Sequence, residues 1–212
     1  MNIDVKDEKV AIPIVLIAGL FWSFGALVIR YADQPAQVVW QYLFTRGIVI
    51  FIILNFYLYL MEGKNFIKNY LNIGLSGSVG SVGLACAMMS FIYSITQTSA
   101  AVTLLCLAAM PLITAILGFI FLKEKISIHT WISIIVAGVG ICIMAFNNQR
   151  IGSVTGLFFG LASAIGFSVY SISLRWRKET PQFTIVSLAG LLCALFAFFM
   201  IFENKTSLFS SS

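Results

Sequence analysis

Apolar residues in this chain neither alternate nor mark one face of a helix. They come in long runs broken by short polar clips. Seven runs stand out, at about Val10–Ala32, Val38–Met61, Ile73–Ile95, Ala100–Leu122, Ile128–Phe146, Val154–Leu174 and Phe183–Phe202. Each is close to the roughly 20 apolar residues that cross the hydrocarbon core of a bilayer. Backbone polar groups in lipid must be satisfied within the segment, so runs of this length predict helices. The connections are short, which makes successive helices antiparallel neighbours. The clearest unit is SAAVTLLCLAAMPLITAILGFIFLKEKISIHTWISIIVAGVGICIM, from Ser99 to Met144, in which two such runs flank Lys123-Glu124-Lys125. A soluble domain has no use for that arrangement, whereas a membrane hairpin does. The expected fold is all-α: a polytopic membrane helical bundle of about seven transmembrane helices.

Composition agrees. Of 212 residues, 60% are hydrophobic and 10% charged, against about 25% charged in soluble domains, and the mean hydropathy is +0.99. The net charge of +5 does not signal nucleic acid, because the basic residues sit in short loops and form no basic face. Cys86, Cys106, Cys142 and Cys193 all lie inside apolar runs without a CxxC pair, so each reads as a small buried hydrophobe rather than a disulfide or metal ligand. The run after the polar MNIDVKDEKV start is too long for the apolar region of a cleaved signal peptide and reads as a retained first helix.

Lys6, Lys9, Lys64, Lys68, Lys123, Lys125, Arg175, Arg177 and Lys178 fall on the N-terminal side of the expected bundle. Arg30, Arg150 and Lys205 fall on the other. The bias expects a cytoplasmic N-terminus and, with seven spans, an outer C-terminus, in a plasma or inner membrane. Small residues recur at four-residue spacing, as Gly156, Gly160 and Ala164, as Ser76 and Gly80, and as Gly77, Ser81 and Ala85. Such faces let helix backbones approach closely, and a pocket wall is the alternative role. A weak repeat relates Gly19-Leu20-Phe21-Trp22-Ser23-Phe24-Gly25 to Gly160-Leu161-Ala162-Ser163-Ala164-Ile165-Gly166. Five spans separate the two starts, so the copies insert with opposite orientation, as in inverted-repeat transporters.

Four stretches resemble the EamA-type drug/metabolite transporter family: GLFWSFGALVIR, AQVVWQYLFTRG, the Ser99–Met144 hairpin with Ala109-Met110-Pro111 and LGFIFLKEKIS, and GLFFGLASAIGFSVYSISLRWR. The resemblance implies ten helices in two five-helix repeats. On that template residues 1–148 are the first repeat and residues 149–212 supply two helices of an inverted second one, so the chain is expected to be a C-terminally partial member.

Candidate chemistry is sparse. Arg46 lies about eight residues, or roughly 12 Å, into the second span, where a charge costs about 2.5 kcal/mol or more. It reads either as a contact for a substrate anion or as a structural arginine bonded to backbone carbonyls. Trp22 and Tyr170 lie deep enough to line a central cavity, with packing as the alternative. Thr103 and Gln41 are weaker polar candidates. Trp40 and Tyr42 read as belt residues at the outer boundary. Pro111 lies mid-helix and reads as a hinge or a packing kink. His129 sits by the charged clip and reads as interfacial. No Asp, Glu or His lies mid-membrane, so neither a proton relay nor an intramembrane enzyme is expected. No cofactor and no metal is implied. The expected function is transport of a small organic metabolite or drug-like solute by alternating access. The alternative is a truncated, non-transporting membrane protein or assembly partner, and a homodimer joining two partial bundles is a further arrangement. Expected partners are the lipid bilayer and the small solute.

Overall fold

Inside a bilayer no water satisfies the backbone, and most of the described residues are helical, joined by short turns. The structure is a computed structural model. It describes residues 35–63, 66–146, 153–177 and 181–203, with isolated positions 12, 13, 16, 17, 19 and 20. The first expected span falls largely outside these, and Trp22, Arg30 and most of the first repeat copy lie outside the described residues with it.

In order, the helices are α1 (Pro35–Glu62), α2 (Phe66–Leu71), α3 (Gly74–Gln97), α4 (Ala100–Leu107), α5 (Met110–Leu122), α6 (Ile128–Phe146), α7 (Val154–Trp176) and α8 (Gln182–Glu203). Among the described residues five segments are long and apolar enough to cross a membrane: Val38–Glu62, Gly74–Gln97, Ala100–Leu122, Val154–Trp176 and Gln182–Glu203. The apolar part of α6 is shorter, Ile128–Ile143. The protein is a polytopic helical bundle.

Local chemistry sets the boundaries. Pro35 opens α1, where its missing N–H costs nothing. Ser99 caps α4 by accepting from the Val102 N–H at 3.2 Å. Ser153 caps α7 through the N–H groups of Thr155 and Gly156 at 3.2 and 3.5 Å. α5 ends with Lys123 in the left-handed region (φ 54°), which lets the Glu124 N–H return to the Gly118 carbonyl at 3.2 Å. This is the turn chemistry usually given to glycine.

One expectation needs correction. The fourth run is not a single helix, since it breaks at Ala108 and Ala109. Pro111 therefore stands in the first turn of α5 rather than mid-helix. Its missing N–H leaves the Leu107 carbonyl without a donor four residues on, and the chain tightens there through Ala109 N–H to the Cys106 carbonyl at 3.1 Å. The Ser168 hydroxyl on α7 reaches the Met110 carbonyl just beyond the break at 3.0 Å.

α3 lies at the centre. α7 covers one of its faces and α8 another, α1 backs α8, and α7 also carries α4 and α5. The buried core joins Val39 and Leu43 of α1 to Ala85, Met88 and Ile92 of α3 and to Ala189, Cys193 and Ala197 of α8. α6 meets the described bundle mainly through α5 and exposes Ile132, Ile135, Val136, Val139 and Ile143 as a lipid-facing helix would.

The helices meet where side chains are missing. A Cβ on Gly166 would stand 2.6 Å from the Gly83 carbonyl oxygen and 2.9 Å from Ala87 Cβ, and one on Gly83 would stand 3.1 Å from the Gly166 oxygen. The same reciprocity joins α1 to α8. A Cβ on Gly47 would lie 2.5 Å from the Gly190 oxygen, and one on Gly190 would lie 3.0 Å from the Gly47 oxygen. Hydroxyl-to-carbonyl bonds add to these crossings: Ser163 to Ala87 at 3.0 Å and Ser94 to Gly156 at 2.7 Å. Each such bond is worth about 0.6–2 kcal/mol in a membrane.

Gly166→Ala is therefore expected to destabilise the detergent-solubilised protein by about 1–3 kcal/mol through overpacking. Gly138→Ala, where no described atom lies within 4 Å, should be neutral or stabilising by about 0.5–1 kcal/mol. Thermal unfolding of both variants checks this, and equal loss in the two would refute the packing account.

Candidate functional site

The bundle has two unlike ends. At one end α1 begins, α3 and α8 finish and α7 starts; at the other lie Lys68, Lys123, Lys125, Arg175 and Arg177. Between α1, α3, α7 and α8, in the half away from the basic residues, lies a cavity of about 360 Å³. α1 contributes Trp40, and α3 contributes Cys86, Met89, Ser90 and Tyr93. α7 adds Phe159, and α8 adds Phe196 and Met200. The rings are mutually fixed. Tyr93 meets Phe159 edge-on at 4.6 Å between centroids, and Trp40 lies 6.3 Å from Tyr93 and 5.9 Å from Phe196. Aromatic contacts of this kind are worth about 0.5–1.5 kcal/mol each beyond their buried area. The described walls form a largely apolar, partly open cleft, in which Trp40, Cys86, Ser90 and Tyr93 carry the polar groups among the described lining residues.

Arg46 stands on α1 one turn past Leu43 and next to Gly47. It is eleven residues from Pro35, or roughly 16 Å along the axis, and half-buried. It makes no hydrogen bond or ion pair to a described residue.

The basic end is closed by polar contacts. Asn55 Nδ2 donates to the Phe51 carbonyl and to Ser187 Oγ, both at 2.8 Å. The Tyr70 hydroxyl donates to Asn55 Oδ1 at 2.9 Å and lies 2.7 Å from Ser187 Oγ. Since the phenol has spent its one proton on Asn55, Ser187 must donate to Tyr70. The three side chains form a ring in which every member gives and receives, joining α1, α2 and α8. Ser187 is fully buried. At the same end of the bundle Arg175 at the end of α7 pairs with Glu124 of the charged clip. Gly118 leaves room for that carboxylate against α5, where a Cβ would stand 2.8 Å from its oxygen. Both partners are well exposed, at 45% and 39%, so the pair is worth about 0–1 kcal/mol. Gly74, at φ +62°, opens α3 and lies within 3.0 Å (measured from an added Cβ) of the Arg177 guanidinium.

The residues expected from sequence are not brought together. Thr103 is fully buried, with its hydroxyl 2.8 Å from Ser94 Oγ, at the junction of α3, α4 and α7. Tyr170 packs half-buried against the central core, and its carbonyl accepts from Ser173 at 2.7 Å. Pro111 is at the α4–α5 break, and Trp22 lies outside the described residues. Arg46 shares helix α1 with Trp40 of the cavity wall but is not among the described lining residues. Trp40, expected in an interfacial belt, is at the expected depth but lines the cavity. Tyr93 was readable only as one of several aromatics with a polar handle, and Phe159 and Phe196 carried no distinguishing signal among 19 phenylalanines. The Asn55–Tyr70–Ser187 ring joins residues up to 132 apart and leaves no pattern in the sequence.

A polytopic helical bundle with an intramembrane cavity is the class defined so far. The chain belongs to the EamA-like transporter family, which it matches over residues 9–146. It is an integral membrane protein of a family of transporters. It is also similar to a protein of Clostridium kluyveri named an uncharacterized transporter, at 32% identity over 106 residues, or 47% of this chain. The matched segment spans a third of that relative's length. No solved structure matches the chain significantly.

Cys86 of the cavity lining is exposed, whereas Cys106 and Cys193 are buried. A water-soluble maleimide should modify Cys86 of the folded protein and spare Cys106 and Cys193, as read by peptide mass spectrometry. Modification of Cys193 before Cys86 would show that the cavity is wrongly placed.

Proposed function

We propose that the chain carries a small organic solute across a cell membrane by alternating access, with the aromatic cavity as the solute's seat. The observation that carries this reading is the cleft of Trp40, Tyr93, Phe159 and Phe196, held between helices that cross on glycines, in a chain of a transporter family. A volume of about 360 Å³ is at the small end of the range for ligand sites. Its walls suit a compact solute with a flat apolar body. Arg46, six residues from Trp40 on the same helix and without a described partner, suits an anionic or zwitterionic head group. A lone guanidinium at this depth is stabilised by any anion brought to it.

The orientation proposed is N-terminus in the cytoplasm, which puts the closed basic end inside and the cavity mouth outside; the placement of lysines and arginines supports it. Residues 1–148 are proposed as one five-helix repeat and residues 149–212 as part of an inverted second. The family match over residues 9–146 supports the first boundary.

The test is saturable uptake of a panel of aromatic and aliphatic metabolites into proteoliposomes. Trp40→Ala and Phe159→Ala should each raise the half-saturating concentration by about tenfold. Arg46→Ala should reduce flux of anionic and zwitterionic solutes at near-normal expression and leave neutral ones unaffected. Flux that is absent for every solute class sinks the carrier reading, and flux indifferent to all three substitutions sinks the site.

A further inference from the structure

Resting on the carrier reading, one part of the molecule has the construction of a lever. Interlocked side chains normally fix the angle at which two helices cross. At Gly47 and Gly190 the contact is instead largely backbone on backbone, flanked by Ala194 and Ile50. To one side of this crossing Trp40 rests on Phe196 and Phe44 on Phe198, each 5.9 Å between centroids, beside the cavity. To the other side stands the Asn55–Tyr70–Ser187 ring. Trp40 is seven residues from Gly47 and Asn55 is eight, so the arms are about 10 and 12 Å long.

We propose that α1 and α8 rock about Gly47 and Gly190, and that the Asn55–Tyr70–Ser187 ring is the latch closing the basic end while the cavity is open at the other. The ring suits a latch better than a passive staple. It bridges the two helices on the arm opposite the cavity, and its third member comes from a short helix outside the long spans. All its donors and acceptors are satisfied when shut, so opening is cheap only where water enters to replace them. The exposed Glu124–Arg175 pair stands at the same end and adds little of its own. Leu58, one turn past Asn55 on the same arm, is 3% exposed, so parting of that arm would uncover it.

Tyr70→Phe keeps the edge-on contact with Phe66 (6.4 Å) and removes both hydroxyl contacts. Each lost bond shifts the equilibrium toward the open end by about threefold to tenfold. Leu58→Cys is the reporter, its reaction with a water-soluble maleimide read by peptide mass spectrometry on the full chain. Tyr70→Phe should raise its labelling rate by at least that factor. Adding Cys86→Trp or Ser90→Trp, which fills the cavity and props that arm apart, should return the rate toward its starting value. An unchanged rate on Tyr70→Phe overturns the latch. A raised rate that persists with the tryptophan also overturns it, because the loosening is then local and uncoupled from the cavity. The readout is conformation rather than flux. A chain that moves no solute but shows coupled labelling keeps the latch and loses the carrier reading, and the converse result does the opposite.

Discussion

Lipid gives these helices no reason to associate through apolar area alone, because a leucine is as well solvated by acyl chains as by another leucine. What remains is close contact, and close contact needs missing side chains. The crossings of Gly83 on Gly166 and of Gly47 on Gly190 meet that need, and the rest of the bundle is arranged around them. α3 is gripped by α7 at the first crossing, and α1 is seated on α8 at the second. Serine hydroxyls next to the first reach carbonyls across the interface. These bonds are individually modest. They matter because the short backbone separation puts a donor on one helix within reach of the main chain of another.

The same constraint governs the polar groups. Many of the described hydroxyls and amides that enter the bundle are bonded within it, as in the Ser94–Thr103 contact and the Asn55–Tyr70–Ser187 ring, while the buried Thr114 and Thr184 hydroxyls have no described partner. Arg46 differs, since it brings a full charge to mid-helix without a described partner. The bonded ring stands toward one end of α1 and α8, and the Trp40–Phe196 and Phe44–Phe198 contacts toward the other. Glycine crossings between them leave the two ends mechanically related and chemically unlike.

The sequence was most legible where physics leaves one solution. Runs such as Gln182–Glu203 are too long and too apolar for anything but a membrane helix, and their ends were readable to within a few residues. The small-residue face of Gly156, Gly160 and Ala164 could be assigned to packing, and Gly156 and Gly160 do lie against Thr98 and Cys106. The break at Ala108 and Ala109 was not legible. Pro111 announces a disturbance, but proline is tolerated in a first turn as well as at a kink, and only the fold decides which. Nor could sequence separate Trp40 as a cavity wall from Trp40 as an interfacial anchor, because both roles place an indole at the same depth. The direction it faces depends on Tyr93 and Phe196, which are supplied by distant helices.

The ring at the basic end has one member, Tyr70, on a six-residue helix in a connection between two spans. Connections of this kind accept insertions, deletions and exchanges that a packed transmembrane helix does not. Evolution can thus retune how firmly that end is held by rewriting a short loop, leaving the intramembrane crossings and the aromatic walls as they are.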